Sequence, residues 1–190
     1  MIFPIPLSRQ SDEQLMQRAA DDNQRAFTEL YNRYAWRLQG FLLRQLGGDR
    51  ELAADFTHDV FLRLYDARRQ YHPGRSFQTW LFTVAYNLCK NRYRHQQVEA
   101  EAMALLDQQP EATMPDIEVR MDREQLGHAL SQVLGTLPAD ARMLFALRFE
   151  EELTTAQTAA VMQLPEGTVK SRQHKIMNLI KQRLKGYETH

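Results

Sequence analysis

The sequence predicts an all-α chain: two small helical domains joined by a flexible acidic linker, the second domain carrying a helix-turn-helix. Three observations carry that prediction. Apolar residues recur at i, i+3, i+4 and i+7 along most of the chain, and no segment shows the alternating or β-branched runs of a strand. Charge is segregated although the formal net charge is zero. Residues 24–95 hold 12 Lys and Arg against 6 Asp and Glu, residues 96–125 hold 2 against 8, and residues 164–190 hold 6 against 2. A short helix, a tight turn and a longer helix then follow one another from Thr154 onward. Together these set the boundaries at 11–95, 96–117 and 118–187.

With 190 residues, 43% of them hydrophobic and 25% charged, the chain is globular and long enough for two small cores. Its single cysteine, Cys89, rules out an internal disulfide or a multi-cysteine zinc site and fits a small core residue in a cytoplasmic protein. The apolar start, Met1 to Leu7, is short and broken by proline, unlike a signal peptide, and no stretch approaches the ~20 apolar residues of a membrane span. Membrane insertion is therefore not expected. No HExxH, CxxC, Walker or GxSxG pattern is present, so no catalytic residue, cofactor or metal is assigned.

Ser11 and Gln14 have capping-box spacing ahead of a short first helix through Leu15 and Met16. Phe27, Leu30, Tyr31, Tyr34, Leu38, Phe41 and Leu42 then form a core stripe running to a Gly47-Gly48 stop. Asp49 caps a third helix that extends to about Arg69, with Leu52, Phe56, Val60 and Leu64 on one side and Phe61, Leu62 and Tyr65 beside them. The stretch Gln70 to Ser76, containing Pro73-Gly74, reads as an exposed basic loop. Ser76 caps a fourth helix whose Phe77, Trp80, Leu81, Val84, Ala85 and Leu88 face inward. Asn87, Lys90, Asn91 and Arg94 share its other face, offering the amides and cations that meet base edges and phosphates.

Residues 96–115 lose aromatics and turn acidic, which reads as a linker. An amphipathic helix through Leu126, Leu130, Val133, Leu134 and Leu137 follows, ending at Pro138. Another carries Leu144, Phe145 and Leu147, and Glu150-Glu151-Glu152 marks an acidic loop. Thr154 or Thr155 caps a short helix whose small Ala159 and Ala160 allow close helix approach. After Gln163-Leu164-Pro165, Gly167 provides a tight start and Thr168 a cap for the last helix. Val169, Gln173, Ile176, Ile180 and Leu184 make its packing face. Thr168, Lys170, Ser171, Arg172, His174 and Lys175 make a face suited to an anionic groove.

These motifs, in this order, resemble the extracytoplasmic-function (ECF) sigma factors of bacterial RNA polymerase. Ser11 to Leu15, Ala26 to Tyr34, Ala54 to Leu62 and Ser76 to Asn87 resemble sigma domain two. Leu137-Pro138, Arg142 and Gly167 to Arg172 resemble sigma domain four. The resemblance implies binding to core RNA polymerase (β′ clamp and β flap), promoter-specific initiation at −10 and −35 elements, and an anti-sigma factor as a further partner. Asp55, His58, Asp59, Phe61 and Leu62 fall on the helix that docks the β′ clamp. Arg75, Ser76, Phe77, Trp80, Asn87, Lys90, Asn91 and Arg94 fall on the −10 reader. Thr168, Lys170, Ser171, Arg172, His174 and Lys175 fall on the −35 reader, whose recognition helix lies in the major groove.

Departures from the family pattern are His58 and Asp59 in place of glutamine and glutamate, Tyr86 in place of arginine, and Gln163 where the turn often has glycine. Ile176 and Met177 replace small and basic residues. Two rival readings exist: a helix-turn-helix regulator acting on duplex DNA without polymerase, and a helical phosphohydrolase built on the His58-Asp59 dipeptide. The phosphohydrolase requires an upstream histidine, and His58 is the first histidine in the chain.

Overall fold

The computed structural model describes residues 6–104 and 123–184, and every regular element among them is helical. The segment 105–122, which holds most of the expected linker with Leu106, Pro110 and Pro115, lies outside the described residues, as do the side chain of Leu126 and the chain beyond Leu184. The helices are α1 (Asp12–Ala20), α2 (Gln24–Gln45), α3 (Arg50–Asp66), α4 (Phe77–Ala104), α5 (Arg123–Gly135), α6 (Ala139–Phe145), α7 (Thr155–Met162) and α8 (Glu166–Leu184). Helix α4 continues into the stretch read from sequence as the start of the linker.

Local signals explain most helix starts. The Ser11 hydroxyl accepts from the Gln14 N–H at 3.2 Å and the Gln14 carbonyl oxygen Oε1 accepts from the Ser11 N–H at 3.1 Å, closing the expected capping box. Thr154 and Gln157 form a second one at α7, which decides between Thr154 and Thr155. Asp49 caps α3 through the Leu52 N–H at 3.0 Å. Gly47 and Gly48, at φ 72° and 86°, reverse the chain after α2 in the left-handed region that glycine adopts freely.

Helix α2 is the pillar of the first half. Leu30, Leu38, Phe41 and Leu42 are fully buried against α1, α3 and α4, and edge-on ring contacts join Phe41 to Phe82 and Tyr34 to Phe77. The aromatic stripe is only partly core, however. Tyr31 is 42% exposed, because it packs beside Phe61 at the rim of α3. Arg33 ties the chain start to this pillar, donating to the carbonyls of Leu7, Ser8 and Gln10 and to the Asp12 and Glu29 carboxylates. Glu13 reaches across from α1 to accept from the Phe77 N–H at 3.2 Å, placing an anion at the start of α4.

Four expectations change. Helix α3 stops at Asp66, and a separate 3-10 turn spans Arg68–Gln70, where Arg68 and Arg69 both grip Asp22 at 2.6 Å. The loop before α4 is not wholly exposed: Tyr71 is buried against Trp80, and its hydroxyl donates to the Arg75 carbonyl. Only Ala159 of the small pair in α7 is buried, while Ala160 faces solvent. Helix α8 starts at Glu166, so Gly167 and Thr168 lie within its first turn, where their positions are set by N–H bonds from Thr168 and Val169 to the Pro165 carbonyl. The tight turn is made by Gln163, at φ 56° and ψ 44°.

A side-chain-bearing residue in that left-handed conformation costs about 1–2 kcal/mol relative to glycine. Gln163→Gly should therefore stabilise the folded chain by about 1 kcal/mol in denaturant melts. Cys89 is fully buried, and burial pushes its thiol from the ordinary 9.0 up to about 12. Since the thiolate is the reactive form, alkylating reagents at pH 8 should leave the folded chain unmodified and react only after unfolding.

Candidate nucleic-acid and polymerase interfaces

Helix α8 is held by its apolar face. Val169, Ile176 and Ile180 are buried against α5, α6 and α7, as the periodicity requires. On the opposite side Lys170, Ser171, Arg172, His174 and Lys175 are exposed and Thr168 is half-buried. The Ser171 hydroxyl donates back to the Thr168 carbonyl at 3.0 Å, and His174 pairs with Asn178 at 3.0 Å. Arg172 stands 4.0 Å from the Asp140 carboxylate, a loose exposed contact that leaves its guanidinium available. The helix is oriented by Arg148, which donates to Gln173 at 3.1 Å and to the Leu153 carbonyl.

On α4 the amide and cation face is real: Asn87, Lys90, Asn91 and Arg94 are all exposed, and Arg75 stands free of the core in the loop before them. Ser76 is half-buried and accepts from the Thr79 N–H at 3.4 Å. Trp80 is half-buried between Tyr71 and Phe77, with one side left accessible. Phe77, expected on the same reader, is fully buried under Tyr34 and Trp80 and is a core residue rather than a contact.

Helix α3 presents Asp55, His58 and Asp59 to solvent together with Leu62, which is 47% exposed. Phe61, read from sequence as part of the same docking set, is 3% exposed and packs against Phe27 and Tyr31. It supports the exposed α3 face from beneath. Among the described residues no three His, Cys, Asp or Glu side chains converge as a metal shell requires, and no helix is long and apolar enough to cross a membrane.

The two halves pack directly on each other. Helix α7 lies along α4, and the buried apolar residues of both halves form one continuous cluster. The sequence offered no signal for this contact. Arg37 and Arg44 of α2 and Gln78 of α4 all reach the acidic loop at Glu150 and Glu151, and Glu151 is only 2% exposed. Tyr86 is buried at the same junction, with Lys90 over its ring at 5.8 Å and Asp140 and Arg172 within electrostatic reach.

Comparison with known proteins shows the family. Residues 30–99 match sigma-70 region 2 and residues 133–182 match sigma-70 region 4. The RNA polymerase sigma-H factor of Pseudomonas aeruginosa is 31% identical over 176 residues, covering 87% of this chain and 90% of its own length. The ECF RNA polymerase sigma-E factor of Escherichia coli is 30% identical over 173 residues, covering 85% and 88% respectively. This chain belongs to the ECF sigma factors of the sigma-70 family.

The sigma factor also shares its fold with solved structures. CnrH in complex with the cytosolic domain of CnrY matches with a TM-score of 0.68 at 22% identity, over 93% of this chain and 99% of the other. RpoE of Bartonella quintana in complex with the anti-sigma factor NepR matches with a TM-score of 0.65 at 21% identity, over 84% and 96%. In this sigma factor the region 2 match runs from within α2 through α3 into α4, and the region 4 match from the end of α5 through α6 and α7 into α8. The exposed amide and cation face of α4 lies within the region 2 match, and the exposed cationic face of α8 within the region 4 match.

Removing the Phe77 ring should cost the fold rather than touch nucleic acid directly. Phe77→Ala is expected to destabilise the chain by about 3–5 kcal/mol in thermal or denaturant unfolding, the range for emptying a large buried aromatic site.

Proposed function

We propose that this sigma factor docks on core RNA polymerase through the exposed α3 face of Asp55, His58, Asp59 and Leu62, on the β′ clamp, with region 4 meeting the β flap. Arg75, Trp80, Asn87, Lys90, Asn91 and Arg94 engage the −10 element. Opened bases need stacking surfaces, and the accessible side of Trp80 beside a basic helix face supplies one. Thr168, Lys170, Ser171, Arg172, His174 and Lys175 engage the −35 element from the major groove. The protein works in the cytoplasm, without catalysis of its own, and an anti-sigma factor is a fitting regulator.

The single observation that carries this assignment is the presence, in one chain, of an exposed amide and cation face on α4 and an exposed cationic face on α8. A regulator that only binds duplex DNA requires the second alone. Gly167 supports the same reading: it is exposed, and nothing lies within 4 Å of where its Cβ would be, so the fold itself does not require glycine there. Close approach of the helix start to a phosphate does.

Arg172→Ala should weaken promoter binding by about 1–3 kcal/mol and leave the affinity for core polymerase unchanged. Paired substitution Asp55→Lys and Leu62→Ala should do the reverse, abolishing co-purification with core polymerase while the melting temperature stays within a few degrees. Equal loss of both activities in either variant contradicts the assignment.

A further inference from the structure

The buried stripe of α8 fixes the direction in which its other side chains stand. Val169, Ile176 and Ile180 lie on one line and all three are buried. At about 100° per residue, Gly167, Ser171 and Asn178 stand within about 20° of the direction opposite to that line. All three are exposed. Lys170 and Lys175 stand about 60–80° to either side of them, and Arg172 is turned further round, 4.0 Å from Asp140. The cations therefore flank the outward face, whereas its middle line is neutral.

That middle line begins small and continues into an amide. Gly167 carries no side chain, and the Ser171 hydroxyl is folded back onto the Thr168 carbonyl at 3.0 Å, so neither holds a groove away from the backbone. Further along, the Asn178 amide nitrogen lies 3.0 Å from His174 Nε2, an i, i+4 contact on the helix surface. An amide nitrogen only donates, so Nε2 accepts. The amide has two N–H bonds and one oxygen; with one N–H held by His174, the second N–H and Oδ1 remain as a paired donor and acceptor. Adenine offers the complementary pair in the major groove, N7 as acceptor and N6–H as donor, and an asparagine amide meets both at once.

Placement along the helix agrees with such a contact. Gly167 and Asn178 are about 16 Å apart along α8 at ~1.5 Å per residue, the length of about five base pairs at ~3.4 Å each. A helix lying along the groove reads from its middle as well as from its start, and homeodomains take an adenine with an asparagine in this way.

We propose that Asn178 reads an adenine in the −35 element through its amide, with His174 as the positioning residue that orients the amide plane and Lys170 and Lys175 on the phosphates to either side. This rests on the assignment of α8 to the −35 element and adds to it a residue and a base. The division of labour follows from the geometry: flanking cations hold the helix to any sequence, and a central amide discriminates between sequences.

The test uses the full chain assembled with core polymerase on a template library randomised across the −35 and −10 elements, with the templates that yield transcripts identified by sequencing. The parent chain should favour A·T, in one orientation, at one −35 position by about tenfold or more, the discrimination of one bidentate pair. Asn178→Ala should lose that preference and keep those at other positions. Asn178→Asp, which has no N–H for N7 and accepts from cytosine N4, should move the preference toward cytosine at the same position. His174→Ala should weaken the adenine preference by about twofold, the worth of an i, i+4 side-chain pair. His174→Gln, whose Oε1 can accept the same N–H, should retain it. A parent chain without an adenine preference at −35, or an Asn178→Ala variant that keeps it or that loses activity evenly on all templates, overturns the role of Asn178. Equal loss in both His174 variants overturns the positioning role. If Arg172→Ala and Asn178→Ala both leave −35 selection untouched, the assignment of α8 to that element falls instead.

Discussion

Burial of one face of α2 is the constraint on which the rest of the molecule depends. Its fully buried leucines and Phe41 are the surface against which α1, α3 and α4 all pack, and its length sets how far apart those helices begin and end. A long helix can bury only one stripe against a three-helix neighbourhood, so its remaining face is left for solvent or a further partner. That face carries Arg37 and Arg44, and it is where the second half of the chain comes to rest. The same helix that makes the region 2 core thus also receives region 4.

The candidate surfaces follow a common design. Each exposed set stands on a helix whose opposite stripe is anchored: Asp55, His58, Asp59 and Leu62 over Val60 and Leu64, the α4 amides and cations over Leu81 and Ala85, and the α8 cations over Val169 and Ile176. Contacts on rigid helices are placed more accurately than contacts on loops. The aromatic residues mostly support rather than touch. Phe77 and Phe61 fill the space beneath the two region 2 surfaces, and Tyr71 turns inward to brace Trp80.

Much of this was legible in one dimension, for definite reasons. Capping boxes at Ser11 and Thr154, the Asp49 cap and the Gly47-Gly48 stop are interactions within three or four residues, so spacing alone reveals them. The split of α8 into a packing face and an ionic face was likewise readable, because period 3.6 maps directly onto burial. Tyr31 and Phe61 lie on stripes where only the neighbouring helix decides which ring is covered, whereas the spacing already turned Phe77 inward and its contact role came from the family resemblance alone. The turn into α8 falls where the spacing puts it, in Gln163-Leu164-Pro165, with Gln163 as its left-handed residue.

By itself the sequence determined that the chain is helical, that it has two modules with exposed cationic faces, and that it belongs with the sigma factors, because each of these rests on local periodicity or contiguous motifs. Only the tertiary structure decided that the two modules meet. Arg37 and Glu151 are separated by 114 positions, and nothing in the composition of an acidic triplet distinguishes a solvated loop from a buried clasp. Pairing at that range is set by how α7 lies along α4, a packing result of many apolar contacts rather than of any motif. The departure at Tyr86 acquires a structural setting there too, as a buried residue of the junction between the two halves.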